Sequence, residues 1–286
     1  MSPLTKSDAR AAAKINLTLH VTGQRADGYH LLDSLVVFAE DVADRLWFET
    51  ADRLSLSVTG PMSHGVPRDA RNLVWRAAEA VGYRGHITLE KNLPHGAGIG
   101  GGSADAAALL RAVTGADEQF APSQAMRAHA LSLGADVLAC VVSAPLRMRG
   151  IGEIIDPLPP LPAFDLVLVN PGVEARTSAV FEALECKANG PMRQDIPQFS
   201  DHSAADADLP AFCDWLGNQR NDLEAPACIL FPQINEALDA LSDALIARMS
   251  GSGSTCFGIY GDGRSAAERI RRDHPNWWVV SSKAAS

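Results

Sequence analysis

The sequence has few of the features that mark several large classes of protein. Its longest uncharged apolar run, VLACVVSAPL at residues 137–146, is well short of the roughly 18 residues that a membrane-spanning helix needs. The N-terminal segment MSPLTKSDAR contains no apolar run and carries an acid, unlike a secretory signal or a transit peptide. We therefore expect no membrane partner and a cytoplasmic location.

Paired or clustered cysteines and a net positive charge are also lacking. The five cysteines are scattered, with no CxxC pair and no cluster with histidine at metal-ligand spacing, which is typical of reduced structural thiols. The formal net charge is −9, whereas a nucleic-acid-binding protein needs surplus lysine and arginine to neutralise phosphates. We therefore expect no nucleic-acid partner.

Lysine is rare, with five residues among the 25 basic ones, so a lysine inside an apolar stretch is informative. Lys14 interrupts AAAKINLTLHVTG, whose alternation of apolar residues predicts a half-buried strand. With a period of two, Lys14 shares a face with Asn16 and Thr18, opposite Ile15 and Leu17. The pattern alone indicates a solvated charge.

Glycine, in contrast, is concentrated. The stretch LPHGAGIGGGSADAAALLR at 93–111 has five glycines in the seven positions 96–102, directly before a helix predicted from Ser103 to about Val113. Helix N-termini carry free N–H groups and the positive end of the dipole, and glycines let the backbone approach an anion. The stretch predicts a phosphate-binding loop rather than a plain flexible turn.

Two known phosphate motifs compete for this loop. A Walker A loop needs lysine directly after glycine, and the chain has no Gly-Lys pair. Gly96, Gly98 and Gly101 satisfy GxGxxG, which leaves a dinucleotide oxidoreductase as an alternative, although the preceding elements are strands rather than alternating βα units. The hydroxyl of Ser103 is placed to touch a phosphate or a phosphate-bound Mg²⁺, or to cap the helix.

The length suggests two domains, and the proline-rich segment PLPPLPAF at 157–164 is the predicted boundary. Before it, we expect mostly strands, two of them at 31–39 and 44–50, and helices at about 73–81, 103–113 and 123–133. After it, we expect a mobile loop at 187–210, helices at 232–245 and 264–275, and a second glycine cluster beside a strand at 247–261.

The phosphate loop, PHGAGIGGGSADAA, resembles that of the GHMP small-molecule kinases in its variant with a glycine triplet. Other segments that resemble one branch of this superfamily are AKINLTLHVTGQRADGYHLLDSL at 13–35, LGADV at 133–137, RNDLEAPA at 220–227 and MSGSGSTCFGIY at 249–260. These matches occur in order and over most of the chain, so the resemblance is specific.

The resemblance implies an α+β fold with the active site in the cleft between two domains. An N-terminal ATP-binding domain like ribosomal protein S5 domain 2 would span 1–157, and a C-terminal ferredoxin-like domain 158–286. The implied reaction transfers the γ-phosphoryl group of ATP, with Mg²⁺, to the C2 hydroxyl of 4-diphosphocytidyl-2-C-methyl-D-erythritol, in the non-mevalonate route to isoprenoids. It implies no tightly bound organic cofactor and a monomer or weak homodimer.

The resemblance also implies site residues. Asp136 matches the catalytic aspartate and Lys14 the active-site lysine, although from sequence alone Asp136 reads as an ordinary helix N-cap. Phe181 would stack on the cytosine. The implied ATP-binding residues are Pro94, His95, Gly96, Ala97, Gly98, Ile99, Gly100, Gly101, Gly102, Ser103, Asn72 and Lys91. The implied substrate-binding residues are Asn16, Tyr29, His30, Thr177, Phe181, Gly251, Ser252 and Gly253.

One departure and two alternatives belong beside this interpretation. Leu138 stands where the family pattern has proline, which puts the turn behind Asp136 in question. Another GHMP kinase, acting on homoserine or a mevalonate derivative, is one alternative, and a non-catalytic nucleotide-binding protein is the other.

Overall fold

The computed structural model describes residues 7–115, 122–193, 196–197 and 205–284. The chain forms two compact units, each assembled from separate segments. Unit 1 comprises the chain up to Lys14, Val42–His95 and Gly100–Ser143, and unit 2 comprises Ile15–Asp41, Gly96–Ile99 and the chain from Ala144 onward. The predicted domain boundary at residue 157 stays a prediction.

The strands and helices follow one another in a mixed order. The strands are β1 (Ser7–Asn16), β2 (His20–Gln24), β3 (His30–Glu49), β4 (Ser55–Thr59), β5 (His86–Glu90), β6 (Leu146–Gly150), β7 (Ile154–Pro157), β8 (Asp165–Asn170), β9 (Ile246–Met249), β10 (Cys256–Tyr260) and β11 (Trp278–Lys283). The helices are α1 (Leu73–Ala80), α2 (Gly101–Thr114), α3 (Gln124–Leu133), α4 (Val137–Val142), α5 (Thr177–Glu182), α6 (Ala205–Gly217), α7 (Glu224–Leu230), α8 (Gln233–Asp239) and α9 (Arg264–Asp273).

Unit 1 packs helices with strands. Strand β5 pairs in parallel with β4 and antiparallel with the second half of β3. Alternate residues of β5, Ile87 and Leu89, are buried, as period-two alternation predicts. Helix α2 contacts α1 and α4, and its stretch 104–110 is buried throughout because four of those seven residues are alanines.

Unit 2 contains a four-stranded antiparallel sheet in the order β11-β8-β10-β9. Every residue of β10 is buried, so both faces of the sheet are covered. In the same unit, the first half of β3 pairs antiparallel with β2 and with β6, and β6 pairs antiparallel with β7. The predicted α+β class is therefore confirmed.

The two strands predicted at 31–39 and 44–50 are one continuous strand, β3. The exposed pair Glu40 and Asp41 resembles a turn in sequence, but the chain stays extended there. Ala39 forms an antiparallel bridge with Ala284, and the N–H of Asp41 donates to Oγ of Ser282. Pairing with a segment more than 240 residues away keeps the backbone extended, and local sequence does not reveal it.

The helix predicted at 232–245 was too long, because α8 ends at Asp239. Beyond it the chain makes short turns in which Asp243 accepts hydrogen bonds from Oη of Tyr260 and from Arg269, at 2.7 Å each. These tertiary partners outweigh the helical periodicity of the segment.

The structure also bears on a predicted helix, a predicted loop and the cysteines. The helix ending at Leu133 is confirmed, with the Ser123 side chain as its N-cap and Gly134 after its end. The loop predicted at 187–210 ends earlier than expected because α6 begins at Ala205, while residues 194–195 and 198–204 lie outside the described residues. The five cysteines are free thiols. In the described part of the chain, no helix has the length and apolar character that crossing a bilayer requires.

Candidate active site

Lys14 and Asp136 form an ion pair within unit 1, with 2.6 Å between Nζ and Oδ1. Strand β1 supplies the lysine, and the start of α4 supplies the aspartate. The Lys14 side chain is only 3% exposed, whereas that of Asp136 is 37% exposed. The pair therefore joins a buried ammonium to a carboxylate that an incoming molecule can reach.

Asp136 occupies the N-cap position of α4 but does not cap the helix with its side chain. The carboxylate points to Lys14 instead, so the interpretation of Asp136 as an ordinary capping residue is not supported. Leu138 lies in the first turn of α4, where backbone N–H groups have no intrahelical partner and proline and leucine are both tolerated. Its departure from the family pattern leaves Asp136 at the helix start.

The glycine stretch contacts Lys14 through Gly100. This residue has φ +65°, and a Cβ there would lie 3.1 Å from Cβ and 3.3 Å from Cε of the lysine. Only glycine adopts this conformation readily and leaves that space free. Gly100 is also the N-cap of α2, so the loop turns into the helix directly over the lysine stem.

Helix α2 begins at Gly101, two residues earlier than predicted, and Ser103 is therefore inside its first turn rather than at the N-cap. The first helical hydrogen bond to close is from the N–H of Ala104 to the carbonyl of Gly100, at 2.8 Å. The N–H groups of Gly101, Gly102 and Ser103 precede it at the positive end of the helix dipole. This arrangement suits an anion such as a phosphate.

In unit 2, the other end of the glycine stretch meets the second glycine cluster. A Cβ on Gly98, whose φ is +73°, would lie 2.5 Å from the carbonyl oxygen of Ser250 and 2.7 Å from that of Gly253. The hydroxyl of Ser250 donates to the carbonyl of Gly98 at 3.1 Å, and the N–H of Thr255 donates to the carbonyl of Ala97 at 3.1 Å. The two glycine segments are thus joined by main-chain atoms.

The structure places Lys91 in a buried ion cluster rather than on the surface. Its Nζ lies 2.7 Å from Oδ2 of Asp105 and forms a second ion pair with Asp44. Asp44 also accepts from the N–H groups of Asn92, at 2.5 Å, and Leu93, at 2.9 Å. A Cβ on Gly101 would lie 3.5 Å from Nζ of Lys91, so the cluster sits beneath the start of α2.

Asp105 is the poorly satisfied member of this cluster. Its Oδ1 is buried without a hydrogen-bond partner among the described residues. Burial raises its pKa to about 8, with a further increase from Asp44, while Lys91 acts in the opposite direction. The sequence carries no signal for the approach of Asp44 to Asp105, because that pairing depends on the fold.

Asn72 is engaged by its own helix. Its side chain accepts from the N–H of Val74 at 2.9 Å, as the N-cap of α1, and donates to the carbonyl of Pro67 at 2.8 Å. Elsewhere in the predicted ATP loop, Pro94 is half-buried, His95 is exposed, and Ala97 and Ile99 are buried. Contact of Asn72 and Lys91 with a nucleotide stays a prediction.

The residues predicted to bind the substrate's base gather in unit 2. The rings of His30 and Phe181 stack with centroids 4.5 Å apart and planes at 17°. Burial lowers the pKa of His30, helped by the charge of Lys187, so its ring is neutral at neutral pH. Its Nε2 is buried without a partner among the described residues, and the neighbouring Tyr29 is 61% exposed.

The other residues predicted to bind the substrate lie around the second glycine cluster. The hydroxyls of Thr177 and Ser252 are 2.8 Å apart, and Gly253 has φ +86°. A Cβ on Gly251 would lie 3.5 Å from Oδ1 of Asn16. The structure therefore brings Asn16 together with this cluster.

Comparison with known proteins decides the family. The profile described as GHMP kinases N terminal domain matches residues 72–144, and that described as GHMP kinases C terminal matches residues 202–279. A relative from Cereibacter sphaeroides, named 4-diphosphocytidyl-2-C-methyl-D-erythritol kinase, is 52% identical over 98% of this chain and 99% of its own. One of the same name from Ruegeria pomeroyi is 51% identical over 96% and 98%. The chain belongs to the 4-diphosphocytidyl-2-C-methyl-D-erythritol kinases, a family of GHMP kinases.

Solved structures agree with this membership. A crystal structure of 4-(cytidine 5'-diphospho)-2C-methyl-D-erythritol kinase is 33% identical, has a TM-score of 0.71 and covers 98% of this chain and 100% of its own. A homoserine kinase from Cytophaga hutchinsonii is 16% identical with a TM-score of 0.63, over 100% and 96% of the two chains, and shares the fold alone. The predicted GHMP kinase fold and family are confirmed, so GxGxxG here is no dinucleotide fingerprint. The roles of individual residues stay predictions.

We expect alanine at Gly98 to destabilise the kinase far more than alanine at Gly102. At Gly98 the new Cβ meets two carbonyl oxygens and the backbone is left-handed, which costs about 1–2 kcal/mol before the clash is counted. At Gly102 the nearest atom would be Cδ1 of Leu73 at 3.6 Å, an ordinary contact. Thermal unfolding measures the difference, and equal melting temperatures for the two variants would contradict the close approach.

We expect Asp105→Asn to remove part of the pH dependence of stability. Because the pKa of Asp105 rises from 3.8 to about 8, the folded chain keeps a proton that the unfolded chain releases across that window. The free energy of unfolding then falls with rising pH, by up to about 1.4 kcal/mol per pH unit, and asparagine lacks this contribution.

Urea unfolding at several pH values between about 6 and 8 checks this, and the slope of the unfolding free energy against pH is the quantity compared. Asp69→Asn is the matched control, because Arg71 lowers the pKa of exposed Asp69 to about 2, outside the window. If the parent and Asp105→Asn lose stability at the same rate, Asp105 does not hold the proton.

Proposed function

We propose that this kinase transfers the γ-phosphoryl group of MgATP to the C2 hydroxyl of 4-diphosphocytidyl-2-C-methyl-D-erythritol through the Lys14–Asp136 pair. The observation that carries the proposal is the ion pair itself, which joins a buried ammonium to an accessible carboxylate. Phosphoryl transfer needs positioning, charge neutralisation and a group that receives the proton of the attacking hydroxyl. The pair supplies the second and third of these.

The start of α2 and the glycine stretch before it form the proposed triphosphate site. The free N–H groups of the first turn offer several donors to phosphate oxygens, and glycines keep side chains out of their way. The hydroxyl of Ser103 lies in that same turn, where it would contact a phosphate oxygen or the Mg²⁺ that ATP brings with it. Mg²⁺ is here part of the nucleotide substrate.

Asp136 would orient the C2 hydroxyl and take its proton. The hydroxyl oxygen forms a bond to the γ-phosphorus as the bond from that phosphorus to the β–γ bridging oxygen breaks, and ADP leaves with the electron pair. The proton passes to Oδ of Asp136, which its exposed carboxylate permits. Lys14 would stabilise the negative charge that develops on the transferred group.

Tyr29, His30 and Phe181 would hold the cytosine. At a centroid distance of 4.5 Å no base fits between His30 and Phe181, so a cytosine that stacks on this face of Phe181 would displace the imidazole. The displaced ring would then offer its unpaired Nε2 to the base as a hydrogen-bond partner. Asn16, Thr177 and the cluster at 251–253 would contact the rest of this substrate.

Several finer statements belong to the same proposal. We propose that the kinase needs no tightly bound organic cofactor, acts on its two small-molecule substrates without nucleic acid or membrane, and works as a monomer or weak homodimer.

We expect Asp136→Asn to lower kcat by about 10²- to 10⁴-fold, because the amide keeps the shape but accepts no proton. ATP affinity, measured by titration calorimetry, should remain near the parent value. ADP release is followed with 4-diphosphocytidyl-2-C-methyl-D-erythritol and, in parallel, with homoserine and mevalonate. Parent turnover of either latter acceptor but not the first would overturn the proposed substrate, and parent-like kcat in Asp136→Asn would overturn the proposed base.

We expect Phe181→Leu to raise the KM for the cytidyl substrate by roughly 5- to 150-fold, since stacking on an aromatic ring contributes about 1–3 kcal/mol per base. Leucine keeps apolar packing against the neighbouring core of unit 2, so the melting temperature should change little. The KM for ATP serves as the internal control and should not change. An unchanged KM for the cytidyl substrate would remove Phe181 from the base site.

A further inference from the structure

The segment RNDLEAPA at 220–227 helped to identify the family, yet the proposed reaction assigns it no task. Its residues 220–223 form the turn that leads into α7, and its residues 224–227 are the beginning of that helix. Asn221 makes a parallel bridge with Leu19, where the N–H of Leu19 donates to the carbonyl of Arg220 at 2.9 Å and the N–H of Asp222 donates to the carbonyl of Leu19 at 2.8 Å. The turn is therefore fixed to the chain just after Asn16 by main-chain bonds.

The side chain of Asn221 is buried, and both its Nδ2 and its Oδ1 form hydrogen bonds. Its Nδ2 donates to the carbonyls of Met249 and Gly251, both at 2.8 Å, and its Oδ1 accepts from the N–H of Leu223 at 3.0 Å. One amide group thus holds the two carbonyls on either side of Ser250. Aspartate has the same shape but no N–H to donate, so only an amide of this length fits the three bonds.

The turn that Asn221 holds is in contact with two residues of the proposed site. The hydroxyl of Ser250 accepts from the N–H of Asn16 at 3.1 Å and donates to the carbonyl of Gly98 at 3.1 Å. Gly251 lies so near that its Cβ would be 2.8 Å from the carbonyl oxygen of Gly98. A shift of the 249–251 backbone would therefore move both Asn16 and the glycine stretch.

A second contact from the same segment supports the same backbone. Oε2 of Glu224 accepts from the N–H of Met249 at 2.7 Å. Glu224 and Asn221 therefore bind the N–H and the carbonyl of one residue, Met249, and fix its peptide groups on both sides. Burial of such bonds makes their loss costly, since an unpaired carbonyl cannot find water instead.

We propose that Asn221 is a positioning residue for the reaction, holding the backbone at 249–251 so that Asn16 and Gly98 are correctly placed for the two substrates. In this role Asn221 would act through the backbone that it binds and not through a substrate contact. The inference rests on the proposed function, because it uses the roles assigned there to Asn16 and to the glycine stretch. It goes beyond that function by giving the RNDLEAPA segment a task.

The test is Asn221→Asp, which keeps the bond to the N–H of Leu223, removes both donors and faces the two carbonyls with a carboxylate. Asn218→Asp is the matched control, because Asn218 is exposed and its Nδ2 donates to a single carbonyl, that of Asp214, at 2.8 Å. KM and kcat for both substrates are measured well below the melting temperature of each variant. We expect the KM for each substrate to rise at least tenfold in Asn221→Asp and to stay at the parent value in Asn218→Asp.

The KM values separate positioning from mere support of the fold. If Asn221 only stabilised the chain, less of the enzyme would be folded, so the apparent kcat would fall and both KM values would be unchanged. That result would overturn the proposal. If Asn221→Asp does not fold, Ser250→Ala decides, because it breaks the link from the turn to Asn16 and Gly98: raised KM values support the proposal, and unchanged ones overturn it.

An error in the assigned substrate can be distinguished from an error in the role of Asn221. The ratio of variant to parent KM is taken with whichever acceptor the parent phosphorylates, so an unexpected acceptor changes the substrate assignment and leaves the Asn221 comparison intact.

Discussion

A buried ammonium needs a negative partner, and the chemistry of this chain depends on how that need is met at Lys14. Removing an ion from water costs several kcal/mol unless a counter-charge is in contact with it. Asp136 provides the counter-charge. Its carboxylate lies at the start of α4 and is partly exposed to solvent. Gly100 provides the space, because a side chain there would press on the lysine stem. A strand, a helix start and a glycine must therefore coincide for one carboxylate to be presented.

Lys14 and Lys91 are both buried, but they differ in the number and the exposure of their acidic partners. Lys14 has a single carboxylate partner that remains accessible, so its charge can act on a molecule bound nearby. Lys91 is enclosed by the carboxyl groups of Asp44 and Asp105, and Asp44 also accepts from two backbone N–H groups. These contacts join Lys91, the residue directly after the end of β5, to Asp44 of β3 and to Asp105 of α2. In the proposed reaction the ammonium of Lys14 would act on the substrate, whereas the ammonium of Lys91 joins elements of unit 1.

Sequence reasoning succeeded where the determining forces are local. Ser123 marked the start of α3, and the glycine stretch marked the turn into α2. The segment around Lys14, predicted as one half-buried strand, is instead divided into β1 and β2, and Lys14 and Asn16 are as buried as Ile15. The pairing of Lys14 with Asp136 came from family resemblance, since 122 residues separate them and local patterns carry no such information. Asp44 and Asn221 were beyond reach for the same reason: their partners are brought to them by the fold. The continuous strand β3 and the short helix α8 likewise follow from distant partners that override local signals.

The joint between the two glycine segments has an evolutionary consequence. At Gly98 and Gly251 the contacts are made by carbonyl and amide groups that every amino acid carries, and the absence of a Cβ is what the geometry demands. Any other amino acid at Gly98 or Gly251 would place a Cβ too close to a carbonyl oxygen, so substitution there is strongly disfavoured. Neighbouring His95, which is exposed, has no such restriction. We therefore expect sequence variation among related kinases to avoid this joint and to fall on exposed side chains around it.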